Sequence, residues 1–356
     1  MKALWLGCLG LLSSSALAAV EIDGFEVEVV DAHLHTFESP GDFNLVGKGT
    51  IVRQLPSFVV PYYSALAEKI GDPFAPVLGI EDQLLWAGVD RGVVLATYTH
   101  HTVGYATNRH IEKLIWDDRN EDEQGRPRFL GMGSVNLDEF QDEAIRAQRL
   151  EALESYLIDE RVIGIKLAHA HQGVAFDDPV LDDLYALAAR HGTPVLLHTG
   201  VSPFPGTKME PEYTNPAGLE TVINRFDGLG EDGRVEFILS HVGTADARAT
   251  NASLELAASN DNVWLELSAL GQDMIFDING LESEVTGPQH PWIIEDILAL
   301  GLVDRTIFAT DGPQQSGKVR TYLGEIINSM KEAGYTVDEM ARVLSGSFYD
   351  CFEIAD

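Results

Sequence analysis

Cysteine is almost absent from this chain of 356 residues, which contains only Cys8 and Cys351. Cys8 lies in an N-terminal segment that we expect to be removed, so the mature chain would keep Cys351 alone. An intramolecular disulfide is then excluded, and with it the class of small secreted proteins that rely on several disulfides. The fold must be stabilised by its core, and a hydrophobic content of 45% is ample for that.

Basic residues are also scarce, because 24 lysines and arginines stand against 56 aspartates and glutamates, for a net charge of −32 at pH 7. A surface of this sign repels nucleic acid and anionic membranes, so we expect neither as a partner. The acidic residues are scattered, and the one dense cluster, residues 117–123, is typical of a solvated loop. A small-molecule substrate is the expected partner, and homo-oligomer formation stays open.

Long hydrophobic runs are missing apart from a short one at the N-terminus. Lys2 precedes an apolar run over residues 3–12, and residues 16–18 (ALA) fit the small-x-small pattern of a signal peptidase site. The run falls well short of the roughly 18–20 residues that a membrane anchor needs. We therefore predict a signal peptide over residues 1–18 and export to the periplasm or the medium of a bacterium, with no membrane contact after cleavage.

Cleavage at this site makes a direct prediction about the mature chain. Because signal peptidase cuts after the third residue of the pattern, we expect the mature protein to begin near Ala19. N-terminal sequencing of protein from its native host measures this. A mature chain that still carries Met1 would show that the segment is retained.

Short β-branched runs alternate with amphipathic stretches along the rest of the chain, which is typical of βα units around a parallel sheet. The predicted strands are Phe25–His33, Gly92–Tyr98, Phe129–Asn136, Val162–Ala168, Pro194–His198, Val235–His241, Val263–Ala269 and Thr306–Asp311. The predicted helices are Glu81–Ala87, Asn108–Asp118, Glu139–Ile158, Val180–His191, Pro216–Phe226, Ala245–Ala258, Pro291–Leu300, Val319–Ala333 and Val337–Ser345. Eight strands, each followed by a helix, predict a single (β/α)8 TIM barrel over residues 19–356.

The connection between the first strand and its helix is unusually long. Residues 37–79 contain six aromatic residues together with several prolines and glycines. In a TIM barrel this connection lies on the face where the strands end, which is the face of the active site. It is either a lid or wall of the substrate site, or a packing insertion or subunit contact.

Polar side chains occur where the predicted strands end, and this is where TIM barrels place their active sites. Most are types that bind metals or carry protons. They are His33, His35, Lys166, His198, His241 and Asp311.

His33 and His35 are two residues apart, so on a strand both imidazoles point to the same side. Both can therefore bind one cation in the barrel mouth, with a third nitrogen from His198 and a carboxylate from Asp311. Nitrogen and carboxylate ligands of this kind suit Zn²⁺, and three or four protein ligands leave room for a catalytic water. We expect one divalent metal ion, most simply Zn²⁺, and leave a second one open.

The remaining histidines have weaker support. His191 follows a helix and is most simply a cap residue, and His110 lies on a helix face as a structural residue. Four others follow the second and fourth predicted strands on the correct face, where they either contact substrate or are surface residues: His100, His101, His169 and His171.

Five motifs in sequence order resemble the amidohydrolase superfamily, and specifically the amidohydrolase-related branch that contains aminocarboxymuconate semialdehyde decarboxylase. The matching segments are residues 31–35 (DAHLH), 164–167 (GIKL), 194–200 (PVLLHTG), 238–243 (ILSHVG) and 308–313 (FATDGP). They span nearly the whole mature chain. The resemblance implies a metal-dependent TIM-barrel enzyme in which His241 is a catalytic residue or second ligand residue, and in which the metal ligands are His33, His35, His198 and Asp311.

Lys166 has several roles open to it. Alternation along the strand places its side chain in the barrel, with Ile163, Ile165 and Leu167 facing the helices. The lysine could pair with Asp311 or a substrate carboxylate, act as a neutral proton carrier, or become a carbamate that bridges two metals. We favour the charged, substrate-contacting lysine, because the relatives that look most similar manage with one metal.

The segment that follows Lys166 departs from many relatives. They read Lys-Leu-His-Pro, whereas residues 166–169 here read Lys-Leu-Ala-His. We therefore predict substrate contacts for His169 and His171, but their roles stay open.

Two reactions fit these residues. In the first, a metal-activated water hydrolyses a small carbonyl, amide or ester compound, Asp311 carries the proton to the leaving group, and His241 stabilises or protonates the oxyanion. In the second, the same site decarboxylates a small unsaturated or aromatic acid without oxidation. A third hypothesis is an inactive binding protein on the same scaffold. The presence of every expected type of metal ligand argues against it.

Overall fold

A computed structural model describes residues 19–36, 72–75, 79–102, 104–202, 204, 206–228, 230, 233–271, 277–278, 281–282, 287–312 and 317–354. The predicted signal peptide, residues 1–18, lies outside the described residues. Most of the long connection over residues 37–79 lies outside them too, so its role as a lid or wall stays a prediction.

Eight parallel strands form one sheet in which every strand pairs with its neighbours in sequence. They are β1 Val30–His35, β2 Arg91–Leu95, β3 Phe129–Ser134, β4 Val162–Leu167, β5 Val195–His198, β6 Phe237–Ser240, β7 Val263–Glu266 and β8 Thr306–Ile307. The sheet closes on itself where Leu34 bridges Gly312 in parallel and the His35 amide donates to the Gly312 carbonyl at 2.7 Å. The predicted TIM barrel is therefore confirmed.

Helices alternate with these strands in the order predicted. They span Ile80–Ala87, Asn108–Ile115, Glu143–Leu157, Asp182–His191, Glu220–Arg225, Ala247–Ser259, His290–Ala299 and Lys318–Ala333, and the chain ends with Val337–Ala341 and Ser347–Phe352. Short helices also occur at His169–Gln172 and Pro211–Thr214. Within the described ranges, no helix is long and apolar enough to cross a membrane.

The prediction of one strand over Phe25–His33 is wrong, because this range contains two separate strands, Phe25–Val27 and the start of β1 at Val30. Val20–Ile22 and Phe25–Val27 form an antiparallel hairpin before β1 begins. The turn residues Asp23 and Gly24 have φ angles of 54° and 88°, as a tight hairpin turn requires.

The second predicted strand, Gly92–Tyr98, is also divided. β2 ends at Leu95, and Thr97–Thr99 pairs antiparallel with Gly104–Ala106. This second hairpin follows the carboxyl end of β2, so it stands on the active-site face of the barrel.

The barrel interior is filled by apolar side chains from alternate strand positions, including Leu130, Leu196 and Ile238. Phe348 and Phe352 of the last helix pack on the same cluster, so this helix covers the end of the barrel where the strands begin. Ile163 also packs on this interior cluster, so our assignment of Ile163 to the helix side is wrong. The reason is a register shift between β3 and β4, which interrupts the simple alternation at this residue.

Gly200, just after β5, lies against the loop that follows β6. Its φ is +83°, and an added Cβ would stand 2.3 Å from the Thr244 carbonyl oxygen. We expect Gly200→Ala to lower the free energy of unfolding by about 2–5 kcal/mol, because left-handed strain and a backbone clash combine. Gly192→Ala is the matched control: its φ is +59° with nothing within 4 Å, so only about 1–2 kcal/mol is expected. Equal losses in denaturant titrations would contradict the clash.

Candidate active site

The ends of β1 and β8 bring three potential metal ligands to one point. His33 Nε2 lies 3.2 Å from His35 Nε2, and Asp311 Oδ1 lies 3.4 Å from the first nitrogen and 3.0 Å from the second. Two donors that each stand about 2.0–2.1 Å from a tetrahedral zinc are roughly 3.3 Å apart. The three atoms therefore have the mutual spacing of ligands to a single ion.

His198 and His241 extend this cluster from the ends of β5 and β6. Their ring centroids are 4.7 Å apart, and the His241 ring is 5.1 Å from His33. Ligand atoms of His33, His241 and Asp311 all lie within 4.8 Å of one another, and among the described residues His198 belongs to no such group. His198 Nε2 is nevertheless buried without a hydrogen-bond partner in the described part of the chain. A buried nitrogen without a partner is unfavourable, and a bound cation would provide one.

The buried histidines of the site are neutral. Burial lowers the pKa of His33 and His198 well below the usual value, and lowers that of His241 to about 3. A neutral imidazole offers a nitrogen lone pair, which is the form that binds a metal. The pKa of Asp311 is held well below its usual value: burial raises it, and the hydrogen bond with His35 is the largest effect that acts against burial.

Glu266 was not predicted as a site residue, yet it lies at the centre of this network. It is fully buried at the end of β7, and His33 Nδ1 donates to its Oε2 at 3.1 Å. Ser268 donates to the same carboxylate through its amide, at 2.6 Å, and through its hydroxyl, at 2.9 Å. One signal was available in the sequence: a lone carboxylate inside the apolar run of residues 263–267 (VWLEL).

These hydrogen bonds select the tautomers of two histidines. Because His33 Nδ1 carries the proton for Glu266, its Nε2 presents a lone pair to His35 and Asp311. The Ser268 hydroxyl donates its only proton to Glu266. It therefore accepts a hydrogen bond from His241 Nδ1, at 2.7 Å. Nε2 of His241 is then also unprotonated.

Lys166 lies inside the barrel on β4, as the alternation predicts. It is 2% exposed, and its Nζ donates to Ser240 Oγ at 3.1 Å. Burial lowers the pKa of the ammonium, and the carboxylates of Glu266 and Asp311 act against that shift. The same burial raises the pKa of Glu266, and the charge of Lys166 opposes it. The two groups therefore support each other's charged forms across the site.

His169 and His171 lie on the short helix that follows β4. The Thr102 hydroxyl and His171 Nδ1 share a hydrogen bond of 2.6 Å, and the His171 ring is edge-on to His198 at 5.4 Å. His169 bonds the Val174 carbonyl through Nδ1 at 2.9 Å, and its Nε2 is buried without a partner among the described residues. Of the two, His171 is thus the one that contacts a predicted ligand.

The remaining predicted residues lie apart from this cluster. His191 ends its helix beside the left-handed Gly192 and pairs with Glu154 at 2.9 Å, which fits a cap residue. His110 lies 3.4 Å from the Thr36 hydroxyl. His100 and His101 pair with Asp138 in a separate cluster described below.

Left-handed backbone conformations are concentrated at the carboxyl ends of the last three strands. His241, Ala269 and Asp311 have φ angles of 67°, 59° and 55°, and the β-branched Val242 has 45°. Such conformations are unfavourable for residues other than glycine and tend to occur at functional sites. Asp31 helps to hold the last of these turns, because Thr310 donates to its carboxylate through the hydroxyl at 2.6 Å and the amide at 3.0 Å.

The fold and the site together define a TIM barrel with a histidine and carboxylate cluster able to hold a metal at the ends of its strands. The family model described as Amidohydrolase matches residues 30–346. The chain therefore belongs to the amidohydrolase family. No curated protein matches it significantly.

Similar solved structures have the same fold at low sequence identity. They include 5-carboxyvanillate decarboxylase from Sphingomonas paucimobilis, at 16% identity and TM-score 0.55, over 93% of this chain and 100% of that one. A probable 2-pyrone-4,6-dicarboxylic acid hydrolase from Acinetobacter baumannii, with citric acid bound, shares 14% identity at TM-score 0.55 (92% and 100% covered). An amidohydrolase from Burkholderia multivorans with bound zinc shares 13% identity at TM-score 0.51 (92% and 100% covered). At these identities the likeness shows the fold alone.

Proposed function

We propose that this chain is an exported, metal-dependent hydrolase that acts on a small carbonyl, amide or ester compound. The observation that supports it best is the convergence of His33 Nε2, His35 Nε2 and Asp311 Oδ1 within 3.4 Å. Family membership over residues 30–346 supports a metal-dependent enzyme of this superfamily, in which both hydrolases and decarboxylases occur.

The donor set fits a divalent cation of the zinc class. Two imidazole nitrogens and one carboxylate oxygen would hold it, and the unpartnered Nε2 of His198 is a further candidate. A divalent cation bound there would supply an acidified water and would polarise a substrate carbonyl. The Burkholderia structure with bound zinc makes Zn²⁺ the first metal to test.

The protein's own groups would move the protons. Asp311 is ionised because its pKa is held low, so it can accept a proton from the attacking water and return it to the leaving group. His241 presents a bare Nε2 in the resting site, so it accepts a proton before it can donate one. Its backing by Ser268 and Glu266 would stabilise the protonated ring as charge develops on the substrate.

A second candidate function, decarboxylation, is favoured by one specific observation. Lys166 is a buried cation that is coupled electrostatically to Asp311 and Glu266. A buried ammonium is suited to bind the carboxylate of an acidic substrate, and it also carries a proton that a carbon atom could receive. The two reactions share the site but differ in their products.

Metal removal tests the proposal and separates the two reactions. We expect a strong chelator to abolish turnover and Zn²⁺ to restore it, because the three converging ligands would hold the cation that activates water. Purified protein would be screened against small amides, lactones and carboxylic acids, with hydrolysis product and released CO₂ measured in parallel. CO₂ without hydrolysis would favour the decarboxylase. Full activity after complete metal removal would refute a metal-dependent enzyme, and zinc binding without turnover across the screen would favour the inactive binding protein.

A further inference from the structure

A second cluster of metal-binding side chains lies outside the barrel cluster. His100 Nε2 is 2.7 Å from Asp138 Oδ2, and His101 Nε2 is 3.0 Å from both oxygens of the same carboxylate. The two rings are tilted by 46° to each other, with centroids 4.1 Å apart. Each of the three side chains offers a ligand atom within 4.8 Å of the others. Two imidazoles and a carboxylate thus converge on one point.

The hairpin after β2 holds the two histidines in place. Its strands, Thr97–Thr99 and Gly104–Ala106, pair through three residues each, and the Thr99 hydroxyl donates to the Gly104 carbonyl at 2.7 Å. Both the amide and the hydroxyl of Thr102 donate to the Thr99 carbonyl, which tightens the tip beside the histidines. The two imidazoles are therefore presented by a braced turn.

Asp138 is held separately by the loop after β3. Its amide donates to the Asn136 side-chain oxygen at 2.9 Å. The Arg149 guanidinium donates to the backbone carbonyls of Asn136 and Asp138, so it fixes this loop to the helix Glu143–Leu157. The carboxylate is free of that arginine and faces the histidines. The cluster therefore joins two loops that are each braced independently. Metal-binding side chains on such loops lose little conformational freedom when an ion binds.

The chemistry of the three groups matches the zinc class of cations. Imidazole nitrogen and carboxylate oxygen are ligands for Zn²⁺, and three protein ligands leave a position for water. The His101 side chain is 62% exposed, and those of His100 and Asp138 are about one-third exposed, so an ion can enter from solvent. In the hydrogen-bonded form both Nε2 atoms carry protons toward one carboxylate. A bound ion would take the lone pair of each Nε2, and the remaining proton of each ring would then be on Nδ1.

We propose that His100, His101 and Asp138 form a second divalent-metal site, of the zinc class, at the rim of the barrel. An ion there would fasten the hairpin strands Thr97–Thr99 and Gly104–Ala106 to the loop after β3. The hairpin also reaches the candidate active site, because Thr102 bonds His171 and His171 packs against His198. The rim ion would thus steady one wall of the active site without sharing a ligand with it.

Zinc stoichiometry tests the rim site directly. Purified wild type and variants are dialysed against buffered free Zn²⁺ in the micromolar range and analysed for zinc per chain. We expect Asp138→Asn and His101→Ala each to hold about one zinc fewer than wild type, and to show a smaller zinc-dependent rise in melting temperature, because only the barrel ion remains. Glu154→Gln is the matched control, because Glu154 forms a surface carboxylate–histidine pair with His191, with Arg190 also at 3.5 Å, and should change neither quantity.

A second background separates the rim site from the barrel cluster. In a His33→Ala, His35→Ala chain, the barrel loses two of its candidate ligands, and we expect a further drop of one zinc per chain when Asp138→Asn is added. The proposal is overturned if Asp138→Asn leaves the stoichiometry unchanged in the wild type, or if its effect disappears in this background. Both results are independent of whether the barrel cluster catalyses hydrolysis.

Discussion

Asp311→Asn is expected to lower kcat/KM by about 10²–10⁴-fold on any substrate that the screen identifies. The amide has nearly the same shape as the carboxylate, but it cannot accept a proton and is a poorer metal ligand. Bracing of the backbone at this turn survives, because Lys318 donates a hydrogen bond to the backbone carbonyl of Asp311. The loss is therefore expected in turnover and bound zinc, with the fold intact.

His33→Ala should give a comparable loss, because it removes a nitrogen that stands within 3.4 Å of both His35 and Asp311. The measurements are steady-state rates, zinc per chain and circular dichroism. His191→Ala is the control, since its imidazole pairs with a surface glutamate at the far end of a helix. A variant at Asp311 or His33 that keeps both near-normal turnover and its zinc would rule out the ligand assignment, and a large loss at His191 would show that this residue is more than a cap.

The candidate ligands could be predicted from sequence because each is a local feature. Once a strand is recognised, alternation of its side chains predicts the face to which each one points. This applies to an apolar strand that ends in histidine and to a His-x-His pair. The barrel then brings the strand ends together as a consequence of its closure. His33, His35 and Asp311 meet for this reason, although 276 or more residues of sequence separate the aspartate from the two histidines.

Other features could not be predicted because they depend on contacts between distant parts of the chain. The hydrogen bond from His33 to Glu266 joins β1 to β7, and only the closed barrel sets its length. The left-handed conformations of His241 and Asp311 run against the preference of these residue types, so local propensity gives no hint of them. Similarly, Asp138 becomes a partner of His100 only because the chain after β2 turns back as a hairpin.

Glu266→Gln tests whether the buried carboxylate controls the site through its neighbours. Glu266 accepts three hydrogen bonds, one from His33 and two from Ser268. An amide can accept at only one of its two ends, so its NH₂ group would face a donor. We expect the side chain of His33 or Ser268 to turn. The histidine tautomers would then change, and the unprotonated Nε2 atoms of His33 and His241 would no longer point toward the barrel mouth.

The expected loss is about 10–100-fold in metal affinity or activity, which is typical when a residue that hydrogen-bonds a metal ligand is replaced. Zinc affinity by competition with a chelating dye measures the effect on His33, and the pH profile of kcat reports on His241. The second measurement also separates positioning from simple destabilisation, which would lower the melting temperature and leave the profile of the folded fraction unchanged. Glu154→Gln again serves as the control, because it alters a histidine–glutamate pair of 2.9 Å that lies at the surface. If Glu266→Gln bound zinc as tightly as wild type and kept its pH profile, the carboxylate would be only a packing residue, and the direction of the two imidazoles would have to come from the metal itself.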